Sequence, residues 1–341
     1  MALTPTVLND AIALLGESNT FNAYENRLDA YNAYKYHVDN SELLLPKSTI
    51  ESIKQSERQP EKVPVLNATT NAFISTRSCD IAVPTGTSEF YTLTWVTLGF
   101  TAGITKAFHA DNYISAEQFI ADQIKSGVKS VHEQLETLSV ASLEAGKTTN
   151  FASSVYANAG GSYTVPQAEK DDFYKNIPAV MKRQILDSPV YDDIANTEAL
   201  TTATFLQNQG AANSVNSQYQ FQTGNRFNFY RTNGITAAGG EDEIHYMAAP
   251  GAAGVYSWID IDSRMRNEIN SGQFMDVMTD PIMGDQWGVY YKRDCADESA
   301  RLAGLERTMT EAWEFSKDFA FVTARNSTGD TPIVKFTITT A

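Results

Sequence analysis

The chain has 341 residues, 42% of them hydrophobic and 20% charged, and carries a formal net charge of −15. That length holds two compact domains or one elaborate one, and an acidic surface does not seek phosphate backbones. This argues against sequence-specific nucleic-acid binding but is compatible with enclosing nucleic acid.

Cys79 and Cys295 are too few and too far apart for a disulfide scaffold, so reduced thiols are expected. MALTPTVLND lacks a basic start and a long apolar run, and no stretch nears the ~20 apolar residues of a membrane span. Neither a signal peptide nor a transmembrane helix is expected.

Residues 1–48 open on an amphipathic pattern (Leu3, Val7, Leu8, Ile12, Leu14, Leu15) and then turn tyrosine-rich at Tyr24, Tyr31, Tyr34 and Tyr36. This reads as a helix followed by an arm whose rings cover another surface, or as a helix docked on its own domain. After the charged, proline-broken ESIKQSERQPEKVPV, strand character dominates in AFISTRSCDIAVPTG and FYTLTWVTLGFTAGITKAF. Phe90, Thr92, Thr94 and Val96 alternate with Tyr91, Leu93, Trp95 and Thr97. The expectation is a long two-stranded excursion over 63–107, too apolar on both faces to stand in water alone.

Residues 115–146 carry the clearest pattern. Ser115 and Gln118 are spaced as a capping box, and Gly146 is a natural stop. Ile120, Ile124, Val128, Val131, Leu135 and Leu138 fall on one helical stripe. The predicted helix is about 45 Å long at ~1.5 Å per residue. Gly127 is discordant unless a neighbour packs closely against it.

A second amphipathic helix is predicted over 167–186, with Phe173, Ile177, Val180, Met181 and Ile185 on one side and a kink at Pro178. Strand-like pieces follow: VYDDIA, ATFLQN, YQFQ, RFNFYRT, EIHYMAA, VYSWIDID and QWGVYYKRD. SRMRNEINSGQFMDVM reads as holding one more short helix, residues 305–325 as helix passing into strand, and TPIVKFTITT as a closing strand.

No catalytic constellation stands out. Ala145-Gly146-Lys147-Thr148-Thr149 imitates the end of a phosphate loop, but Ala141 stands where the earlier glycine belongs. Gly160-Gly161-Ser162 lacks the second glycine of a nucleophile elbow. His37, His109, His132 and His245 form no zinc spacing. His132, four residues before Glu136, reads as a solvated helix pair. Glu241, Asp242, Glu243 and His245 could hold a hard cation, although a glycine-led acidic run is commonly an exposed loop tip. Asp260 and Asp262 alternate as on a strand and could act as acid and base, with a solvated edge as the plainer reading. No catalytic, cofactor or metal residue is assigned.

The order of elements resembles the major capsid protein of tailed bacteriophages, the α+β Hong Kong 97-like capsid fold. Local stretches are similar too: TWVTLGF, LEAGKT, GVYSWIDIDSR, WGVYYKRDC and KDFAFVTARNSTGDTPIVKF. The resemblance implies an N-terminal arm at 1–49, an extended β-hairpin loop at 50–112 and a spine helix with the first part of the peripheral domain at 113–186. An axial domain at 187–290 and a return to the peripheral domain at 291–341 complete it.

It also implies a structural protein, not an enzyme, that self-assembles into hexamers and pentamers of an icosahedral head around double-stranded DNA. DNA would be contacted only non-specifically. Portal, scaffolding or decoration proteins are the further partners, and the location is the virion, assembled in the host bacterial cytoplasm. Self-assembly contacts are expected from Arg77, Phe90, Tyr91, Trp95 and Phe100, each of which could instead fill the subunit's own sheet. An encapsulin-like shell shares the fold. A tail-tube protein is disfavoured by the long helix, and a hydrolase would rest only on Asp260, Asp262 and the 241–245 cluster.

Overall fold

The computed structural model describes residues 11, 31–66, 88–105, 116–149, 155–183, 188–196, 199, 226–265, 268–270, 273–279, 286–297, 307–324 and 331–340. Helix α1 spans Asn32–Leu44 and α2 spans Lys47–Gln55. Strands β1 (Lys62–Leu66) and β2 (Ser88–Thr92) pair, among the described residues, only with each other, as an antiparallel ribbon. Strand β3 (Trp95–Thr105) leaves the ribbon at Leu93-Thr94 and enters a larger sheet. The expected excursion over 63–107 therefore gives up 95–105 to this sheet, because β3 finds its partner more than 200 residues downstream. The segment between β1 and β2 lies outside the described residues.

The predicted stripe builds α3 (Ala116–Gly146). Ile120, Ile124, Val128, Val131 and Leu135 are buried, while Leu138 is half-buried and Leu143 continues the inner face. Gly127 has its reason: a Cβ there would overlap the ring of Phe100.

Beneath α3 lies a six-stranded antiparallel sheet. Its order is β10 (Glu268–Asn270), β11 (Gln273–Thr279), β12 (Gln286–Asp297), β13 (Arg307–Thr323) and β3. Strand β9 (Ala253–Trp258) joins the far half of β13. Where a helix is expected at the start of 305–325, the described residues form strand from Arg307 to Thr323. The buried series Glu311, Trp313, Phe315, Lys317 and Phe319 has period two, and its two charged members disguise it. Lys317 places its Nζ 5.4 Å from the Phe319 ring centre and 5.9 Å from that of Trp287. The short helix expected in SRMRNEINSGQFMDVM is present at its start as α5 (Ile261–Met265), and β10 and β11 follow.

The second six-stranded sheet is mixed. It runs β4 (Ala157–Ala159), β5 (Ser162–Val165), β14 (Ile333–Thr339), β8 (Glu241–Ala248), β6 (Val190–Asn196) and β7 (Arg226–Thr232). A 3-10 turn (Gln167–Asp172) leads into α4 (Phe173–Arg183), which holds Pro178 within it. Phe173, Ile177, Val180 and Met181 pack on Tyr191, Phe227, Met247 and Phe336. Helix α3 joins the two sheets. Ile120, Ile124 and Val128 pack with Trp313 and Phe315 of the first, and Leu143 with Ile194, Ile244 and Ile333 of the second.

Candidate functional site

The ribbon has two unlike faces. Val63 and Tyr91 oppose each other and turn inward, joining Leu45, Ile50, Ile53, Leu93, Tyr256 and Val322 in one apolar cluster. Pro64 and Phe90 oppose each other on the outer face, flanked by the Lys62–Thr92 pair, and all four are exposed. Phe90 is 66% exposed. The alternation of a strand forces this division, since residues two apart share a face.

The other expected contact residues sit differently. Tyr91 and Trp95 are half-buried against the apolar cluster, and the Trp95 indole N–H donates to the Pro60 carbonyl at 2.9 Å. Phe100 stacks on Phe315 with ring centres 4.6 Å apart, under Gly127 of α3. Arg77 lies outside the described residues.

Helix α1, expected within an arm, docks on its own subunit with Tyr34 and Tyr36 buried. Its first turn has no side-chain cap of its own. Glu136 of α3 supplies one: Ala33 N–H donates to Oε1 at 3.0 Å and Tyr34 N–H to Oε2 at 2.8 Å. Thr232 of β7 also donates its hydroxyl to Glu136. His132 is buried beside the Tyr31 and Tyr34 rings. The pair read as solvated is thus internal and clamps α1 to α3 and β7.

The acidic run is also internal. Glu241 and Asp242 are half-buried, while Glu243 and His245, two residues apart on one face of β8, are fully buried. His245 Nδ1 lies 2.9 Å from Asp193 Oδ1 and its Nε2 lies 3.1 Å from Glu243 Oε2. Tyr174 donates its hydroxyl to Asp193 Oδ2 at 2.8 Å, and Arg231 Nη2 donates to the same oxygen at 3.1 Å. Lys170, from the 3-10 turn, pairs with Glu243 Oε1 at 2.9 Å and with Asp242. Burial pushes Asp193 up, but His245 and Arg231 beside it bring it down to about 2. Burial pushes His245 down, and Asp193 and Glu243 more than reverse this, so its value is raised. The loop-tip reading is corrected: strand pairing with β6 and β14 draws residues 243–248 into the core.

Asp260 and Asp262 do not share a strand face. The strand ends at Trp258, and Asp260 caps α5, accepting from the Ser263 N–H at 2.8 Å and its hydroxyl at 2.6 Å. Lys147 of the phosphate-loop imitation is paired with Glu144, and Thr148 N–H donates to the Ile333 carbonyl at 2.8 Å. Among the described residues no group of three or more His, Cys, Asp or Glu side chains is arranged to hold a metal. Among them, too, no helix is long and apolar enough to cross a membrane.

No family model and no curated protein matches the chain. Solved structures of similar shape include one from Mycobacterium phage Bobi. It is 13% identical with a TM-score of 0.42, covering 86% of this chain and 91% of that one. The holo-SrpI encapsulin complex of Synechococcus elongatus PCC 7942 is 12% identical with a TM-score of 0.42, over 86% and 88%. The capsid of Ralstonia phage GP4 is 9% identical with a TM-score of 0.43, over 84% and 86%.

Proposed function

We propose that the chain is the repeating subunit of a closed shell, a major capsid protein of the tailed-phage type whose hexamers and pentamers enclose double-stranded DNA. The observation that carries the reading is the ribbon: a separate two-stranded element that presents Pro64 and Phe90 to solvent on its outer face. An exposed aromatic on the outer face of a two-stranded ribbon invites burial by a neighbour. A Phe side chain offers ~200 Å², so covering the exposed 66% buries roughly 130 Å². At ~25 cal/mol per Å² that contributes about 3 kcal/mol per contact, repeated around every ring of subunits. The formal net charge of −15 suits a container that must release packed DNA.

On this reading the extended loop is the part of 50–112 that precedes β3, and α3 is the spine. The sheet of β3 and β9–β13 is the peripheral domain and the sheet of β4–β8 and β14 the axial one, so boundaries at 187 and 290 cut across both sheets. Tyr91, Trp95 and Arg77 are further contact candidates. Portal, scaffolding and decoration proteins, the virion location and a purely structural role belong to the same proposal.

Phe90→Asp tests it. The variant should keep the wild-type circular dichroism and melting temperature, because the side chain is exposed, yet lose large particles in light scattering. Unchanged particles would remove the ribbon's outer face from the assembly surface.

A further inference from the structure

We propose that His245 sits in the sheet core as a doubly protonated imidazolium, so that one bound proton fastens residues 167–183 onto β6 and β8 and acts as a latch that alkali opens. This inference is independent of the shell reading. Both ring nitrogens face carboxylate oxygens, Nδ1 at 2.9 Å from Asp193 and Nε2 at 3.1 Å from Glu243. A neutral imidazole has one N–H and one lone pair, so one carboxylate would face a lone pair. The imidazolium donates to both.

The surroundings agree element by element. Strand β6 presents Asp193, β8 presents Glu243 and Asp242, β7 presents Arg231, and the 3-10 turn presents Lys170. Helix α4 contributes the Tyr174 hydroxyl and the Phe173 ring, 4.7 Å from the imidazole centre. Strand β14 places the uncharged Phe336 opposite His245. Among the described residues three carboxylates thus meet two permanent cations, and the imidazolium equalises them, as buried charges require. Lys170 and Tyr174 both belong to 167–183, so the covering segment is held through the two carboxylates that the imidazolium neutralises.

The sign follows from the raised value of His245. Its contribution is fully present below the unfolded 6.5 and is lost as pH rises through the higher folded value. Magic-angle-spinning ¹⁵N NMR of the labelled full chain, which reads free and assembled protein alike, should show both His245 nitrogens protonated above about pH 6.5. The folded-to-unfolded ratio should fall about tenfold per pH unit there. Hydrogen exchange in 167–183 should quicken over the same range. Glu243→Gln can accept from or donate to a neutral ring, so it should move deprotonation to lower pH and flatten the slope. A single protonated nitrogen at pH 7 in the wild type would overturn the proposal, as would an unchanged pH slope in the variant. If the variant does not fold, the wild-type spectrum decides alone.

Discussion

Truncating Glu136 tests the clamp between α1 and α3. In Glu136→Ala the amides of Ala33 and Tyr34 lose their acceptors, 3.0 and 2.8 Å away, and the Thr232 hydroxyl loses its own. Ala33 and Tyr34 are 0% and 4% exposed, so water cannot readily replace the carboxylate. An unsatisfied buried donor costs about 1–3 kcal/mol. Two such amides set the loss near 4 kcal/mol. Releasing a carboxylate whose value burial has raised offsets part of it. The expected net loss is about 3 kcal/mol, on the order of 100-fold in local opening. Hydrogen exchange at residues 33 and 34 should quicken by that factor, with a smaller drop in the denaturation midpoint. Glu136→Gln keeps one acceptor oxygen and should cost about 1 kcal/mol. Protection unchanged in the Ala variant, or equal effects of Ala and Gln, would refute the clamp.

Gly127→Ala gains ~1 kcal/mol of helix propensity but drives a methyl into the Cβ and ring of Phe100, which cannot swing away from its own backbone. A net loss of about 1–2 kcal/mol in chemical denaturation is expected, and a gain would mean that the helix is not pressed onto β3. Replacing Glu241, Asp242 and Glu243 together with Ser strands Lys170 and His245 inside the fold. It should lower stability by ~3–5 kcal/mol, whereas a change near ~0.5 kcal/mol per site would restore the loop-tip reading. His37 is fully buried, and burial lowers it to about 4 from 6.5. Its neutral form is kept in the fold, so this stability is present above pH ~6.5 and lost as pH falls toward ~4, by roughly 3 kcal/mol. His37→Phe should flatten the melting profile over that acid range, and an unaltered profile would place the acid sensitivity elsewhere.

What the sequence disclosed were the periodic apolar surfaces. The stripe of α3, the stripe of α4 and the closing strand β14 are readable because each buries several apolar side chains at a fixed spacing. Charged residues placed inside were hidden. Glu136 and His132 stand four apart like any solvated helix pair, and only the first turn of α1, about a hundred residues earlier, makes Glu136 a cap. Glu311 and Lys317 conceal the alternation of β13. The network around His245 needs β6, β7, β8 and the 3-10 turn brought together, and no local spacing records that meeting. The ribbon reads too long in sequence for the same reason, since β3 looks like its second strand until β13 claims it. Phe90 and Phe100 have equal standing as aromatic residues in a strand-like run, yet packing exposes one and buries much of the other.

Negative-stain electron microscopy of the purified chain is the direct test of the proposed shell. Closed, hollow particles of uniform diameter, tiled by rings of five and six subunits, are expected. A field of dispersed monomers, or of open tubes, would contradict it.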